Sequence, residues 1–268
     1  MTVGRVGTLL DGVSRTAIGV ARVRARESTR EDRLFDDPYA GALAALGEPV
    51  DTTAPPSPGR LAIAFQIIMR TRFYDDWLLA QAGKGCRQFV VLGAGLDTRA
   101  FRLDWPSGTR VFEVDLPPVL AVKADVLATA QPSCERITVP ADLTTDWGAL
   151  LEAAGFDRAQ PTVWLAEGLL VYLDEAQTTH IVSSVTELSA AGSAFATEAL
   201  SGDVDRLAAP DMAATTSMWQ GGLGAAMPDW LGAHGWDTAL STLGNVARSY
   251  GRPPSREPRG GFITAVRR

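Results

Sequence analysis

The chain has 268 residues, 46% of them hydrophobic and 21% charged, and a net charge of -6 at pH 7, enough to bury a large core in one α/β unit with extensions. An acidic globule is repelled by phosphate backbones, which argues against a nucleic-acid partner. Cys86 and Cys134 lie far apart with no metal-ligand spacing, no apolar run approaches the ~20 residues of a membrane span, and no secretory leader is visible, so a cytoplasmic protein without metal or disulfide framework is expected.

Residues from about Ser14 to Ala45 read as helical, with arginines at 15, 22, 24, 26, 30 and 33 outnumbering Glu27, Glu31 and Asp32. This local reversal of charge fits either a solvated face laced with i,i+4 pairs or a lid whose arginines reach an anionic group. Asp36-Asp37-Pro38 breaks the pattern and starts a new helix, and Thr52 to Gly59, with three prolines, is a loop. Leu61 to Ala82 carries apolar residues at helical spacing and ends at Gly83 and Gly85. Arg70 and Arg72 sit on this helix just before the first strand, where either could clamp a carboxylate with its planar fork. A surface pair of Arg72 with Asp75 or Asp76 is the plainer alternative.

Phe89-Val-Val-Leu92 is a short apolar run that breaks into Gly93-Ala-Gly95-Leu-Asp97-Thr98-Arg99, the pattern of a buried parallel strand feeding a glycine turn. Without a Cβ, Gly93 and Gly95 let a ligand approach the backbone closely. A dinucleotide fold would want a third glycine where Thr98 stands. Its absence argues against a pyrophosphate and for S-adenosyl-L-methionine (SAM), with S-adenosyl-L-homocysteine as product.

Arg110 to Asp115 is a second strand ending in an acid about twenty residues past Gly95, a placement suited to accept both ribose hydroxyls. Asp115 is preferred over Glu113 because only the last acid of the strand reaches its edge. Arg136 to Leu143 repeats the theme: Asp142 and the Leu143 amide match the exocyclic amine and ring nitrogen of adenine, unless Asp142 caps a helix over Trp147 to Ala154. A fourth strand, Pro161 to Leu173, carries Glu167 in an apolar run. A buried carboxylate demands a partner, either the ammonium of SAM or an arginine.

Asp174-Glu-Ala-Gln177 is a capping box for the next helix, and Ser193 to Glu198 is a fifth strand. From 201 to 230 the regular pattern lapses into a stretch with Met212, Met218, Trp219, Met227 and Trp230, suited to lining an organic substrate or to ordinary packing. His180 and His234 read as structural. A last strand, Phe262 to Val266, closes the chain.

Taken together, Arg70-Thr-Arg72-Phe-Tyr-Asp-Asp76-Trp, Leu92 to Leu103, Phe112-Glu-Val-Asp115-Leu-Pro, Asp142-Leu143 and Ala166-Glu167-Gly168-Leu-Leu-Val-Tyr172-Leu resemble the class I SAM-dependent methyltransferases, and within them the leucine carboxyl methyltransferase family. That family includes the enzyme that esterifies the C-terminal leucine of a protein phosphatase and polyketide carboxyl methyltransferases. The resemblance runs from about residue 14 to the end. It implies an α/β fold: a Rossmann-like, seven-stranded, mostly parallel sheet flanked by helices, its last strand antiparallel, under an N-terminal helical lid. It also implies that Arg70 holds the methionine carboxylate, Gly93 the methionine backbone, Asp115 the ribose, Asp142 and Leu143 the adenine and Glu167 the amino end, with Arg24 or Arg26 as an N-terminal contact. One departure is the stretch from Leu243 to Pro258, short and looped where the fold usually has a fuller helix.

The expected organisation is a cap over residues 1–82 and a SAM-binding core over 83–268, with a substrate-side insertion at about 201–230. Arg26, Tyr172, Met218 and Trp219 are the candidates for contacting a small-molecule substrate, in a monomer or homodimer. Methyl transfer from a sulfonium depends mainly on alignment, and a carboxylate acceptor, ionised at pH 7, needs no general base, whereas a phenol would. An O-methyltransferase acting on a natural-product carboxylate is the reading these residues favour. The alternatives are a phenol or hydroxyl acceptor, a SAM-binding protein with a non-methylating reaction, and a nicotinamide oxidoreductase.

Overall fold

A computed structural model describes residues 12–49, 55–199 and 216–268. Met212 and the whole first half of the expected insertion, like residues 1–11 and 50–54 of the cap, lie outside the described residues. Seven strands form one sheet in the order β3-β2-β1-β4-β5-β7-β6: β1 Gln88–Leu92, β2 Arg110–Asp115, β3 Glu135–Pro140, β4 Thr162–Ala166, β5 Ala194–Ala199, β6 Trp236–Thr242 and β7 Gly261–Arg267. The β1, β2, β3, β4 and β5 pairings are parallel, and β7 runs antiparallel to both β5 and β6.

Every residue of β1 and β4 is buried, as expected of central parallel strands covered by helices on both faces. Alternation sends Phe89 and Val91 into one core, with Tyr74, Leu78 and Phe262, and Val90 and Leu92 into the other, with Trp147, Trp164 and Ile181. The parallel register aligns Leu92 with Val114 and Ala166. The residues that follow, Gly93, Asp115 and Glu167, therefore emerge along one edge of the sheet.

Before the sheet come α1 (Gly12–Ser28), α2 (Ala40–Ala44) and α3 (Pro58–Gly83). The helical stretch read over Ser14–Ala45, broken at Asp36-Asp37-Pro38, is two helices, the first of which ends earlier, at Ser28. The chain turns after Ser28 because Ser28 Oγ, bonded back to the Arg24 carbonyl, accepts the Asp37 amide, while buried Glu27 accepts the Leu34 amide. The new helix starts at Ala40, not at Pro38: Asp37 Oδ1 accepts the Tyr39 and Ala40 amides ahead of it. α3 begins at Pro58, earlier than Leu61, because Ser57 caps it and proline suits the first turn.

The fourth strand stops at Ala166 rather than running on to Leu173. Gly168 takes φ 63 and a 3-10 turn follows over Leu170–Tyr172, so Glu167 stands past the strand's end. Among the described residues the further α-helices are α4 (Arg99–Arg102), α5 (Pro117–Val126), α6 (Gly148–Ala153), α7 (Glu175–Glu187), α8 (Met227–Ala233) and α9 (Leu243–Ser249). The capping box at Asp174 and Gln177 is present in both directions. Asp142 does not cap α6, which starts at Gly148. A short helix, α9, capped by Thr242, occupies the stretch expected to be looped.

Candidate active site

The site forms where β1, β4 and β2 end. Gly93 and Gly95 adopt φ 61 and 47, left-handed values that glycine takes without strain. A Cβ on Gly93 would stand 2.9 Å from Leu169 Cδ1, and one on Gly95 3.5 Å from Ala17 Cβ, so α1 crosses directly over the glycine loop. Asp115, at the tip of β2, accepts hydrogen bonds from the Gly95 amide at 2.5 Å and the Leu116 amide at 2.7 Å. Burial pushes its carboxyl up, against the pull of those two amides. Glu113, two residues earlier on the same face and away from the strand's edge, is fully buried between Lys123 (2.9 Å) and Arg136 (2.6 Å).

Asp142 is exposed and accepts from the amide and hydroxyl of Thr144, with Leu143 buried beside it. Glu167 lies between two arginines: Arg70 Nε donates to Oε1 at 2.8 Å and Arg99 Nη1 to Oε2 at 2.6 Å. Burial alone would raise its carboxyl, but the two guanidiniums override this and hold it below the usual glutamate range. Arg70 also donates from Nη1 to Glu198 Oε1 at 2.8 Å. Its Nη2 has no hydrogen-bond acceptor among the described residues. A Cβ on Gly168 would approach both Nη atoms to 3.2 Å, so that glycine makes room for the guanidinium. Arg72 faces elsewhere, to Asp76 (2.9 Å) and the Leu34 carbonyl (2.6 Å).

These groups belong to a larger buried ion cluster. Arg24 pairs with Asp37 at 3.0 Å, Asp37 approaches Arg102, Arg102 pairs with Asp75 at 2.7 Å, and Asp75 pairs with Arg99 at 2.7 Å. Arg99 in turn holds Asp97 and Glu167. Asp97, Arg99, Arg102 and Glu198 had no assigned role in the sequence, where Asp37 was read only as part of a helix start and Asp75 only as a surface partner for Arg72. The available signal was the density of charge in Asp97-Thr-Arg99-Ala-Phe-Arg102, inside an otherwise apolar motif.

On α1, Arg24 turns inward, its Nη2 donating to the Leu96 carbonyl at 2.6 Å, whereas Arg26 is exposed. Tyr172 donates to Thr16 Oγ1 at 3.2 Å. Gln220 ties the following segment to the 3-10 turn, its amide donating to the Val171 carbonyl at 2.8 Å and its Nε2 to the Tyr172 carbonyl at 2.9 Å. A Cβ on Gly12 would lie 3.3 Å from Met218 Sδ. Tyr172, Met218 and the start of α1 thus converge, next to Trp219, whose buried indole N–H has no hydrogen-bond partner among the described residues.

The leucine carboxyl methyltransferase family model matches residues 17–186. The chain belongs to that family. It is 48% identical over 279 residues to a Streptomyces coelicolor protein named as an S-adenosyl-L-methionine-dependent methyltransferase, covering 96% of each chain. It is 48% identical to a Frankia alni protein of the same description, covering 96% of this chain and 95% of that one. Among solved structures, a DUF574 family protein of Streptomyces avermitilis superposes with a TM-score of 0.62 at 16% identity, over 92% of this chain and 97% of its own. At that identity the likeness shows the fold. The protein is a SAM-dependent methyltransferase of this family. The residues present fit such a cofactor: two left-handed glycines, Gly93 without room for a Cβ beside Leu169, and, at or just past neighbouring strand ends, acids of the kind that accept hydrogen bonds from hydroxyls and an ammonium. No described helix is long and apolar enough to cross a membrane, and no described cluster of side chains would hold a metal ion.

Proposed function

We propose that this methyltransferase esterifies the carboxylate of a small molecule, converting an acid to its methyl ester. SAM supplies an electrophilic methyl group on a sulfonium. In this reading Arg70 offers its uncommitted Nη2 to the methionine carboxylate, Glu167 receives the ammonium, Asp115 the ribose, and Asp142 with the Leu143 amide the adenine. Gly93 and Gly95 let the backbone close on the ligand. Residues 1–82 act as a cap over the 83–268 core, shielding the transfer from water.

The observation that carries the carboxylate reading is that no imidazole base serves the site. Both histidines of the chain are engaged elsewhere: His180 with the Thr145 carbonyl on exposed α7, His234 at the end of α8 against Trp230. The acids of the cluster are committed to arginines. An acceptor that is already an anion at pH 7 needs no proton removed; a carboxylate, with a pKa near ~4, meets that condition and a phenol, near ~10, does not. The unpartnered Trp219 N–H, with Tyr172 and Met218 close by, supports an acid-binding, largely apolar acceptor site. A net charge of -6 supports a small-molecule acceptor over nucleic acid. We read the enzyme as cytoplasmic, a monomer or homodimer.

The test is incubation of the purified protein with SAM and a panel of organic acids and phenols, with product mass spectrometry. Methyl esters of one class of acid are expected. Methylation of phenols with all acids ignored would overturn the carboxylate reading.

A further inference from the structure

The ion cluster has an odd charge count. It joins four guanidiniums, those of Arg24, Arg70, Arg99 and Arg102, to five carboxylates, those of Asp37, Asp75, Asp97, Glu167 and Glu198. Among the described residues this network alone carries one excess negative charge; the adjoining Lys123–Glu113–Arg136 group carries one excess positive charge, but its field falls on Asp97, at the other end of the network from Glu198. An uncompensated charge away from water is costly, so either a proton or a cationic ligand must balance it.

Glu198 is where that charge sits. It ends the chain of pairs and, among the described residues, has a single guanidinium, Arg70, which it shares with Glu167; Asp97 also has one, Arg99, but accepts the Arg99 amide as well and lies in the field of Lys123 and Arg24. It lies near the tip of β5, opposite Phe262 of β7, and is 8% exposed. The groups facing it are Arg70 and the unpartnered Tyr74 hydroxyl from α3, and Glu167 and the Gly168 amide from the end of β4. Its Oε1 takes both the Arg70 Nη1 donor at 2.8 Å and the Gly168 amide at 2.7 Å. With Nε on Glu167 and Nη1 on Glu198, the guanidinium is fixed at two points, and Nη2 is left to face the cofactor's carboxylate.

We propose that Glu198 is a positioning residue that orients Arg70, and that as the cluster's unbalanced acid it binds a proton in the free enzyme and releases it to solvent when the cationic cofactor enters. The balance is simple: the carboxyl O–H bond breaks, the proton goes to the buffer, and the carboxylate that remains is neutralised by the net single positive charge of SAM. The inference rests on the placement of the methionine end at Arg70 and Glu167.

Burial, reinforced by Glu167 and opposed by Arg70, raises the Glu198 carboxyl above the ordinary glutamate range. The sign of the linkage follows. A carboxyl raised on folding contributes stability below its unfolded pKa and loses it as pH rises through the folded one. Removing that carboxyl therefore relieves a strain in the ligand-free protein at neutral pH while it weakens the hold on SAM. A merely structural residue would lose both together.

The experiment is calorimetric titration of SAM into the full chain at about pH 6, in two buffers of different ionisation enthalpy, for wild type and Glu198→Gln. Wild type is expected to release a fraction of a proton per SAM bound, and its affinity to rise by up to roughly tenfold per pH unit below the Glu198 titration. E198Q is expected to release none from this source, to bind SAM more weakly with a flat profile from about pH 5 to 7, and to melt no lower than wild type without ligand. Equal proton release in both proteins, or a lowered melting temperature with an unchanged pH profile, would overturn the proposal. If E198Q does not fold, Glu198→Asp and the wild-type pH profile decide it: the shorter acid keeps the proton linkage but loosens Arg70, and a flat wild-type profile refutes it. Failure of wild type to bind SAM at all would instead count against the placement of the cofactor.

Discussion

Arg99 is the junction of the ion cluster, and its removal gives a sharp test of how the site is held. Its side chain is 3% exposed and reaches Asp75 at 2.7 Å, Glu167 at 2.6 Å and Asp97. In Arg99→Leu, Asp75 keeps both bonds to Arg102 and Glu167 keeps Arg70. Asp97 keeps only the amide of residue 99 and the more distant field of Lys123 and Arg24. The variant therefore strands one buried carboxylate, which costs about 3–5 kcal/mol. For a chain of this size that lowers the melting temperature by roughly 6–20 °C. The assay is thermal unfolding followed by circular dichroism, with Asp97→Asn and the double variant as controls. The double variant removes both partners and should recover about 1–3 kcal/mol of the loss. In wild type, burial would raise Asp97, but Arg99 overrides it and holds the carboxyl far below the usual range. That contribution is present above the unfolded pKa and is lost only as pH falls through the depressed folded value. In R99L the stranded Asp97 takes up a proton in mild acid, so the gap from wild type should narrow between about pH 7 and 4. An R99L midpoint within a degree or two of wild type, or strictly additive effects in the double variant, would refute the reasoning.

Asp115→Asn should weaken SAM roughly tenfold to a hundredfold, the loss of about 1.5–3 kcal/mol of charge-assisted bonding, and should lower the melting temperature, because the new amide nitrogen cannot accept the Gly95 or Leu116 amide it would face; calorimetric titration measures the affinity, and an unaltered dissociation constant would count against the ribose role. Gly93→Ala places a Cβ 2.9 Å from Leu169 Cδ1 at φ 61, costing about 1–2 kcal/mol in backbone strain alone, and should reduce both the melting temperature and SAM affinity; a neutral result would mean that the turn tolerates a side chain. Burial pushes the Cys134 thiol up to about 12 and raises that of Cys86, so neither should react with iodoacetamide at pH 8 until the protein is unfolded. Rapid native labelling, read by peptide mass spectrometry, would contradict it.

The parts of the fold that could be read from the sequence are those where a local pattern has one outcome. Phe89 to Leu92 is too apolar and too short for anything but a buried strand, and Gly93 and Gly95 mark its end; both strands that close in acids sit where that pattern requires. What escaped the sequence is set by contacts distant along the chain. The arginine-rich segment keeps its helical period through residue 30, and only the reach of Glu27 to Leu34 and Ser28 to Asp37 turns the chain. Arg24 and Arg26 lie on different faces of α1, two residues and some 200° apart, and nothing local says which face meets the glycine loop. Glu198 carried the same signal as Glu167, an acid closing an apolar run. Its role became visible only when α3 brought Arg70 against both.

On the proposed division into cap and core, the cluster ties the two together. Breaking the nine buried charges into pairs would gain little stability, since desolvation roughly offsets the attraction within each pair. What the pairs provide is position. Arg24 and Asp37 come from the capping segment, Asp97, Arg99 and Arg102 from the glycine loop and the helix it opens, Arg70 and Asp75 from α3, and Glu167 and Glu198 from the ends of β4 and β5. Thr98 donates to Asp37 at 2.7 Å, so the residue that stands where a dinucleotide fold would have its third glycine instead fastens the cap to the loop. Each guanidinium is held by acceptors from at least two elements, which fixes its plane as well as its place. Methyl transfer draws its acceleration from alignment, and misplacement by about an ångström can cost a hundredfold in rate. A charged lattice that joins the N-terminal helices, the glycine loop and the ends of β4 and β5 adds directional bonds that fix this alignment.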